Sequence, residues 1–268
     1  MIKMLIVGHG FVGQAVDYGF SHPQVEKTIV DPKYGRSLSD VCVLDYDIVF
    51  VCVPTPMGPS SNIDASIVND IISTVKQAPL IVVKSTVTPD LVKNWPSNVV
   101  YNPEFLTERS AKDDFVNPPF HIMGGDYTYD LEEYYHKYSI CTPCPVYHMS
   151  ALEASYVKYA INTFLATKVT FFNQLYDSVT KAGGNFNLVA NAVGADPRVG
   201  YSHTRVPGFD GKQGFGVACF PKDTAAFTNY DKSLTLLDKV VTINNDYRSQ
   251  YDLDDREKEQ NVKYGDSK

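Results

Sequence analysis

Lys3-Met4-Leu5-Ile6-Val7-Gly8-His9-Gly10-Phe11-Val12-Gly13 is the stretch that decides the fold. A short apolar run ends in three glycines spaced Gly8-x-Gly10-x-x-Gly13, and a helical pattern continues from there to about Phe20. Strand, tight turn and helix in that order present the N–H groups of a helix start to an anion. Glycines in the turn let the backbone approach a pyrophosphate that a side chain would keep away. A second strand over residues 27–30 ends at Asp31, eighteen residues after Gly13. A carboxylate at that place hydrogen-bonds ribose hydroxyls and repels a 2′-phosphate, so the pattern predicts NAD rather than NADP. Gly8, Gly10, Phe11, Val12, Gly13 and Asp31 are the expected cofactor contacts. Lys33 and Arg36 would suit a 2′-phosphate, but Asp31 outweighs them, and Arg36 is retained as a cofactor contact.

Further strands follow at intervals that suit crossover helices. Residues 47–53 are apolar on both alternations, as a strand covered on both faces requires, and residues 80–83, 98–101 and 121–123 are similar. Residues 64–76 have helical spacing with Asp64 near the start. Strands separated by helices of this length predict an α/β fold, a Rossmann-type doubly wound parallel sheet over residues 1–149. From Ser150 the texture changes. Apolar residues recur at helical period from 151 to about 180 without Pro or Gly. A helix of about 30 residues is roughly 45 Å long, more than one compact domain needs, and such helices link domains or pack on a second subunit. A glycine-rich segment over 194–216 precedes a helix opened near Pro221 and another over 233–246. Residues 150–248 are therefore expected to form a helical central domain used for dimerisation. The charged stretch 249–268 has few apolar residues and is expected to fray or be disordered.

The chain has 268 residues, 44% hydrophobic and 21% charged, with a net charge of −7. That balance argues against nucleic acid or anionic lipid as a partner. No apolar run approaches membrane-spanning length, and the first residues lead straight into a strand, so neither a span nor a secretory signal is expected. Five cysteines, an odd number spread along the chain, suit a reduced, cytoplasmic protein.

Chemistry-bearing residues cluster after the strands and at one helix start. Thr55 and Thr86 each directly follow a buried strand, where ligands of an open α/β sheet sit; taken alone, such a hydroxyl is more often a helix cap. Glu104 and Glu108 share a face if their segment is helical, either as a solvated pair or as binding or general-base carboxylates, with Glu108 the catalytic candidate. Lys158 and Asn162, at i and i+4 of the long helix, project the same way among apolar neighbours. A cation beside an amide can stabilise an oxyanion, although a snorkelling lysine would give the same spacing. Cys219 lies just before Pro221, where a helix N-terminus lowers a thiol pKa, with Asp223 one turn on. Cys141-Thr142-Pro143-Cys144 with His148 lacks a second close pair to complete a zinc set, so no metal is expected. His203, in the glycine-rich loop, is a candidate ligand contact.

Taken together, these segments resemble the UDP-glucose/GDP-mannose dehydrogenase family. The signatures run in order: the Gly8 turn, Asp31, Val53-Pro54-Thr55-Pro56, Ser85-Thr86-Val87, Asn102-Pro103-Glu104-Phe105-Leu106-Thr107-Glu108, the helix segment 158–173, and Gly214-Phe215-Gly216-Val217-Ala218-Cys219-Phe220-Pro221-Lys222-Asp223. The loop over 196–211 is more similar to the UDP-glucose branch than to the GDP-mannose branch. The resemblance implies NAD-dependent, four-electron oxidation of a nucleotide-sugar C6 alcohol to a uronic acid in polysaccharide biosynthesis. It assigns Cys219 as the nucleophile, Lys158 and Asn162 to the oxyanion, and Asp223 with Thr86 to water. Glu104, Phe105, Leu106, Glu108, His203, Phe215 and Gly216 would line the sugar site. Thr55, Thr86, Glu108 and Lys222 would contact the cofactor. Alternatives are the same chemistry on GDP-mannose or a UDP-N-acetyl-hexosamine, a two-electron β-hydroxyacid dehydrogenase, or a catalytically silent NAD-binding protein. Two departures stand out. Val217 replaces the second of a glycine pair, and the family's carboxyl-terminal nucleotide-binding domain is expected to be missing. A homodimer, or a partner chain supplying that domain, would compensate.

Overall fold

A computed structural model describes residues 1–265. The chain divides into two compact units, Met1–Thr55 with Asp64–Lys158, and Pro56–Ile63 with Tyr159–Lys268. By its contacts the divide falls inside the long helix. Its first turns belong with the sheet, because Ser155 Oγ donates to the Val87 carbonyl (2.7 Å). Residues 56–63 join the second unit, where the Met57 amide donates to the Gln260 carbonyl (2.9 Å).

The first unit is a seven-stranded sheet with helices between strands. Its elements are β1 (Ile2–Val7), α1 (Phe11–Gly19), β2 (Val25–Val30), β3 (Ile48–Val51), α2 (Ser66–Val75), β4 (Ile81–Val83), β5 (Val99–Tyr101), α3 (Ala111–Val116), β6 (His121–Gly124), α4 (Thr128–Tyr138) and β7 (Val146–Met149). The strand order is β2-β1-β3-β4-β5-β6-β7. The order reverses between β1 and β3, the switch point beside which ligands of open α/β sheets bind. β3 and β4 are buried at every residue, as their unbroken apolar runs predict. Phe20, Phe50, Val82 and Met123 are among the core side chains, each contributing about 1.5–3 kcal/mol of burial.

The sheet is mostly parallel, as the strand and helix alternation predicts, with one reversal. β1 to β5 are parallel, but β6 pairs antiparallel with β5 through Tyr101 and Gly124, and β7 runs parallel to β6. The only α-helix between β5 and β6 is α3, six residues long, or roughly 9 Å. That is a short crossover for carrying the chain back to the start of the sheet. Asn102 supports the reversed strand by donating its side-chain amide to the Ile122 carbonyl (2.7 Å).

Polar groups penetrate this core beside Asn102, whose Oδ1 accepts from Lys84 Nζ (2.9 Å) and from the Tyr135 hydroxyl (2.9 Å). Burial pushes Lys84 down to about 8, against the opposing pull of Cys52 and Glu104. His121 packs on Tyr135 with ring centroids 4.4 Å apart. Burial, aided by the Lys84 charge, takes His121 down to about 3.

The second unit is helical. It holds most of α5 (Ala151–Lys181), then α6 (Phe186–Gly194), α7 (Cys219–Tyr230), α8 (Thr235–Arg248) and α9 (Asp255–Glu259). Phe172, Phe186, Ala190 and Val206 form one apolar cluster, and Ala166, Phe215 and Val240 another. The stretch expected to fray is folded through residue 265; residues 266–268 lie outside the described residues. Asp254 caps α9 in a reciprocal box with Glu257, and Val262 is buried. Composition misled here because a buried, paired acid looks the same in sequence as a solvated one.

Candidate active site

The first unit carries a dinucleotide cradle. Gly8 has φ +88°, and a Cβ there would lie 2.6 Å from the Cys52 carbonyl oxygen; a Cβ on Gly13 would lie 2.0 Å from the Gly8 oxygen. Gly8 is required by close approach to the chain just after β3, and Gly13 by close approach within the turn. Gly10 differs, because a Cβ there would meet nothing within 4 Å. It is also the N-cap of α1, with no side chain bonded to the helix start. Those N–H groups and the space beside Gly10 fit a pyrophosphate. Asp31 is half-buried; its Oδ2 accepts from the His9 amide (2.6 Å) and its Oδ1 from the Lys33 amide (2.8 Å). A carboxylate has about four lone-pair sites, so capacity remains for ribose hydroxyls. The residues present therefore fit NAD. Thr55 and Thr86 are buried at strand ends and cap no helix among the described residues; Arg36 is exposed.

Glu104 and Lys158 are brought together. Lys158 Nζ donates to the Glu104 carbonyl (2.6 Å) and to its Oε1 (3.0 Å), and lies 5.2 Å from the centre of the Phe105 ring. Lys158 is therefore a buried, paired cation and does not snorkel. Glu104 borders a cavity of about 270 Å³ lined also by Lys84, Phe105, Leu106, Phe120 and His121 among others. Glu104 and Glu108 do not share a helix face. The chain from Asn102 to Thr107 is irregular, Glu104 is buried, and Glu108 opens an exposed 3₁₀ turn. Pro103 and the Glu104 bond to the Leu106 amide (2.7 Å) set that local path.

The second unit carries the thiol. Cys219 is the first residue of α7, half-buried and in no disulfide. Asp223, one turn on and 1% exposed, accepts from Asn162 Nδ2 (2.7 Å) and from Lys222 Nζ. Lys222, expected at the cofactor, is buried against Asp223. His203 has φ +62° and packs on Phe220 with centroids 5.6 Å apart. Burial and the Lys168 charge lower its pKa.

The loop leading to Cys219 is held by side chains distant in sequence. Asn173 Oδ1 accepts the Gly214 amide (3.0 Å), and the Asn244 side chain exchanges two bonds with the Phe215 backbone, 2.6 and 3.0 Å. Phe215 itself packs in the core. Val217 has φ +64°, a conformation costing a β-branched residue on the order of 1–3 kcal/mol. Sequence reading missed Asn173, Asn244, Arg248 and Glu257 as holders of this loop. Asn173 and Asn244 gave a signal, being amides on otherwise amphipathic helices; Glu257 gave none.

The glycine cradle on a switch-point sheet, followed by a long helix and a thiol helix, defines a dinucleotide-binding protein of the dehydrogenase type. Residues 37–142 match the NAD binding domain of the UDP-glucose/GDP-mannose dehydrogenase family, and residues 152–246 match its central domain. The chain belongs to that family. It is 35% identical over 203 residues to UDP-glucose 6-dehydrogenase of Rickettsia felis, covering 68% of this chain and 43% of that protein. A UDP-glucose dehydrogenase from Pyrobaculum islandicum superposes with a TM-score of 0.77 at 29% identity, over 91% of this chain and 68% of that one. A 3-hydroxyisobutyrate dehydrogenase from Mycobacterium tuberculosis reaches a TM-score of 0.73 at 15% identity, over 98% and 97% of the two chains, which shows a shared fold alone. The chain spans about half the length of the curated relatives it matches. Among the described residues, no helix is long and apolar enough to cross a membrane.

Proposed function

We propose that the chain oxidises the C6 alcohol of UDP-glucose to the carboxylate of UDP-glucuronate, removing four electrons in two steps. Loss of the hydroxyl proton and a hydride converts the alcohol to an aldehyde. The Cys219 thiolate adds to the aldehyde carbon, and the resulting oxyanion is stabilised by Lys158 and by the amide of Asn162. Loss of a second hydride from this thiohemiacetal gives a thioester. Water, deprotonated with the help of Asp223 and positioned by Thr86, attacks the thioester carbon, releasing the carboxylate and the thiol. NAD at the Gly8–Gly13 turn supplies the hydride acceptor when bound, held by Asp31. Glu104 pairs with Lys158, and Phe105, Leu106, Glu108, His203 and Gly216 would border the sugar.

The observation that carries this reading is the placement of Cys219 at the start of α7, one turn before a buried Asp223 that Asn162 already bonds. A two-electron hydroxyacid dehydrogenase has no use for that thiol. The chain would act as a homodimer through α5, on which Phe164 and Phe171 are 65% and 56% exposed.

The test is NADH formed per sugar with limiting UDP-glucose and excess NAD. Two NADH per sugar and an acid product are expected. One NADH with an aldehyde product, or none from any of UDP-glucose, GDP-mannose and UDP-N-acetyl-hexosamines, would overturn the proposal. Light scattering on Phe164→Asp checks the dimer.

A further inference from the structure

The carboxylate of Glu257 is 0% exposed although it belongs to the most charged stretch of the chain. Its Oε1 accepts from Arg248 Nη2 (2.7 Å), from the Tyr264 hydroxyl (2.6 Å) and from the Val217 amide (3.2 Å), while its Oε2 accepts from the Asp254 amide (2.9 Å). Arg248, 1% exposed, also donates from Nη1 to Asp210 (2.6 Å). Gly216 is shaped to this pair. A Cβ there would come within 2.2 Å of Arg248 Nη2 and 2.7 Å of Glu257 Oε1. The residue whose amide reaches Glu257 is Val217, held at φ +64° two positions before the thiol. A β-branched residue stays in that conformation only where its surroundings impose it.

We propose that Glu257 is a positioning residue for Cys219: its buried carboxylate, anchored by Arg248 and Tyr264, takes the Val217 amide and locks the thiol loop. Residues 254–264 thereby act as a strap on the loop that starts α7. The catalytic part of this proposal rests on Cys219 being the nucleophile; the clamp itself does not.

The experiment uses the full chain and the variants Glu257→Ala, Glu257→Gln, Val217→Gly and Val217→Gly/Glu257→Ala. Hydrogen exchange by mass spectrometry reads the clamp without any activity. Exchange in the peptide spanning residues 214–219 is expected to rise at least tenfold in Glu257→Ala. Alkylation of Cys219, followed by peptide mass against Cys141 and Cys144 as internal references, is expected to accelerate at least threefold. NAD affinity is expected to stay within twofold. If UDP-glucose is oxidised, kcat is expected to fall ten- to fifty-fold in Glu257→Ala with little change in the KM for NAD. A glycine at 217 needs no such restraint, so in that background the same Glu257→Ala change is expected to cost at least fivefold less in kcat and to alter alkylation less than twofold. Unchanged exchange at 214–219 would overturn the clamp. An equal cost in the valine and glycine backgrounds would overturn positioning through Val217. Absence of oxidation in the unmodified chain would sink the proposed function alone, leaving exchange and alkylation to decide the clamp. If Glu257→Ala does not fold, Glu257→Gln, which keeps an acceptor for Val217, must retain low exchange in that peptide, and a rise there would equally overturn the clamp.

Discussion

The two units hold their functional groups by different means. In the first, Gly8, Asp31, Thr55 and Thr86 stand at or just beyond the carboxyl ends of strands, so hydrogen-bonded parallel neighbours such as β1 with β3 place them. In the second, no β-strand is present among the described residues to do this. The loop before Cys219 is set by side-chain amides from α5 and α8 and by a carboxylate beyond α8. A site built on a ladder tolerates loss of one side chain near it. A loop held by three separate side chains loses its geometry when one is removed.

The largest expected effect separates the units by chemistry. Cys219→Ala should lower acid formation at least ~10³-fold while leaving NAD affinity, measured by calorimetry, unchanged. Loss of NAD binding as well would mean the thiol region supports the first unit. Next is Lys158→Ala, which leaves Glu104 buried without its cation and should cost about 3–5 kcal/mol in urea unfolding. Lys158→Met with Glu104→Leu should recover most of that, because no charge is then stranded.

Asn244→Ala removes two bonds to Phe215 and should destabilise the chain by about 2–3 kcal/mol. It should also reduce kcat more than it raises the KM for NAD. A pure NAD effect would break the contrast drawn between the units. The effect that is smallest per pH unit is a pH slope. The folded chain holds His121 neutral down to about 3 against an ordinary 6.5. Between those values the unfolded chain binds a proton that the folded chain does not, so stability falls as pH drops below 6.5, by up to about 1.4 kcal/mol per pH unit. Lys84, lowered to about 8 from 10.5, acts at the other end, and stability rises as pH climbs through that interval. His121→Phe should reduce the acid slope just below pH 6.5 and leave the alkaline one.

Legibility in the sequence followed the range of the forces involved. The strands and the long helix were readable because their apolar periods are local. The glycine turn was readable because each glycine answers a contact within a few residues or with the next strand. The path of the Glu104 segment was not legible because i, i+4 spacing carries meaning only inside a helix, and Pro103 with the Glu104–Leu106 bond prevents one. Reversal of β6 was hidden because an antiparallel pair with a single register match leaves no periodicity of its own. The role of residues 254–264 was hidden for the reason that makes it effective: a buried acid needs partners such as Arg248 and Tyr264, and nothing local in the sequence marks them as such.

By itself, then, the sequence determined the parallel core from β1 to β5, the cofactor turn with Asp31, and the order of the candidate site residues along the chain. These depend on side-chain size, backbone freedom and hydrophobic period, all of which act between near neighbours. Tertiary structure alone decided that Lys158 is paired to Glu104, that Asp223 is shared by Asn162 and Lys222, and that Val217 keeps a glycine's conformation. Those outcomes depend on burial, where an unpaired charge or amide costs several times its exposed value, and burial is settled only when distant segments meet.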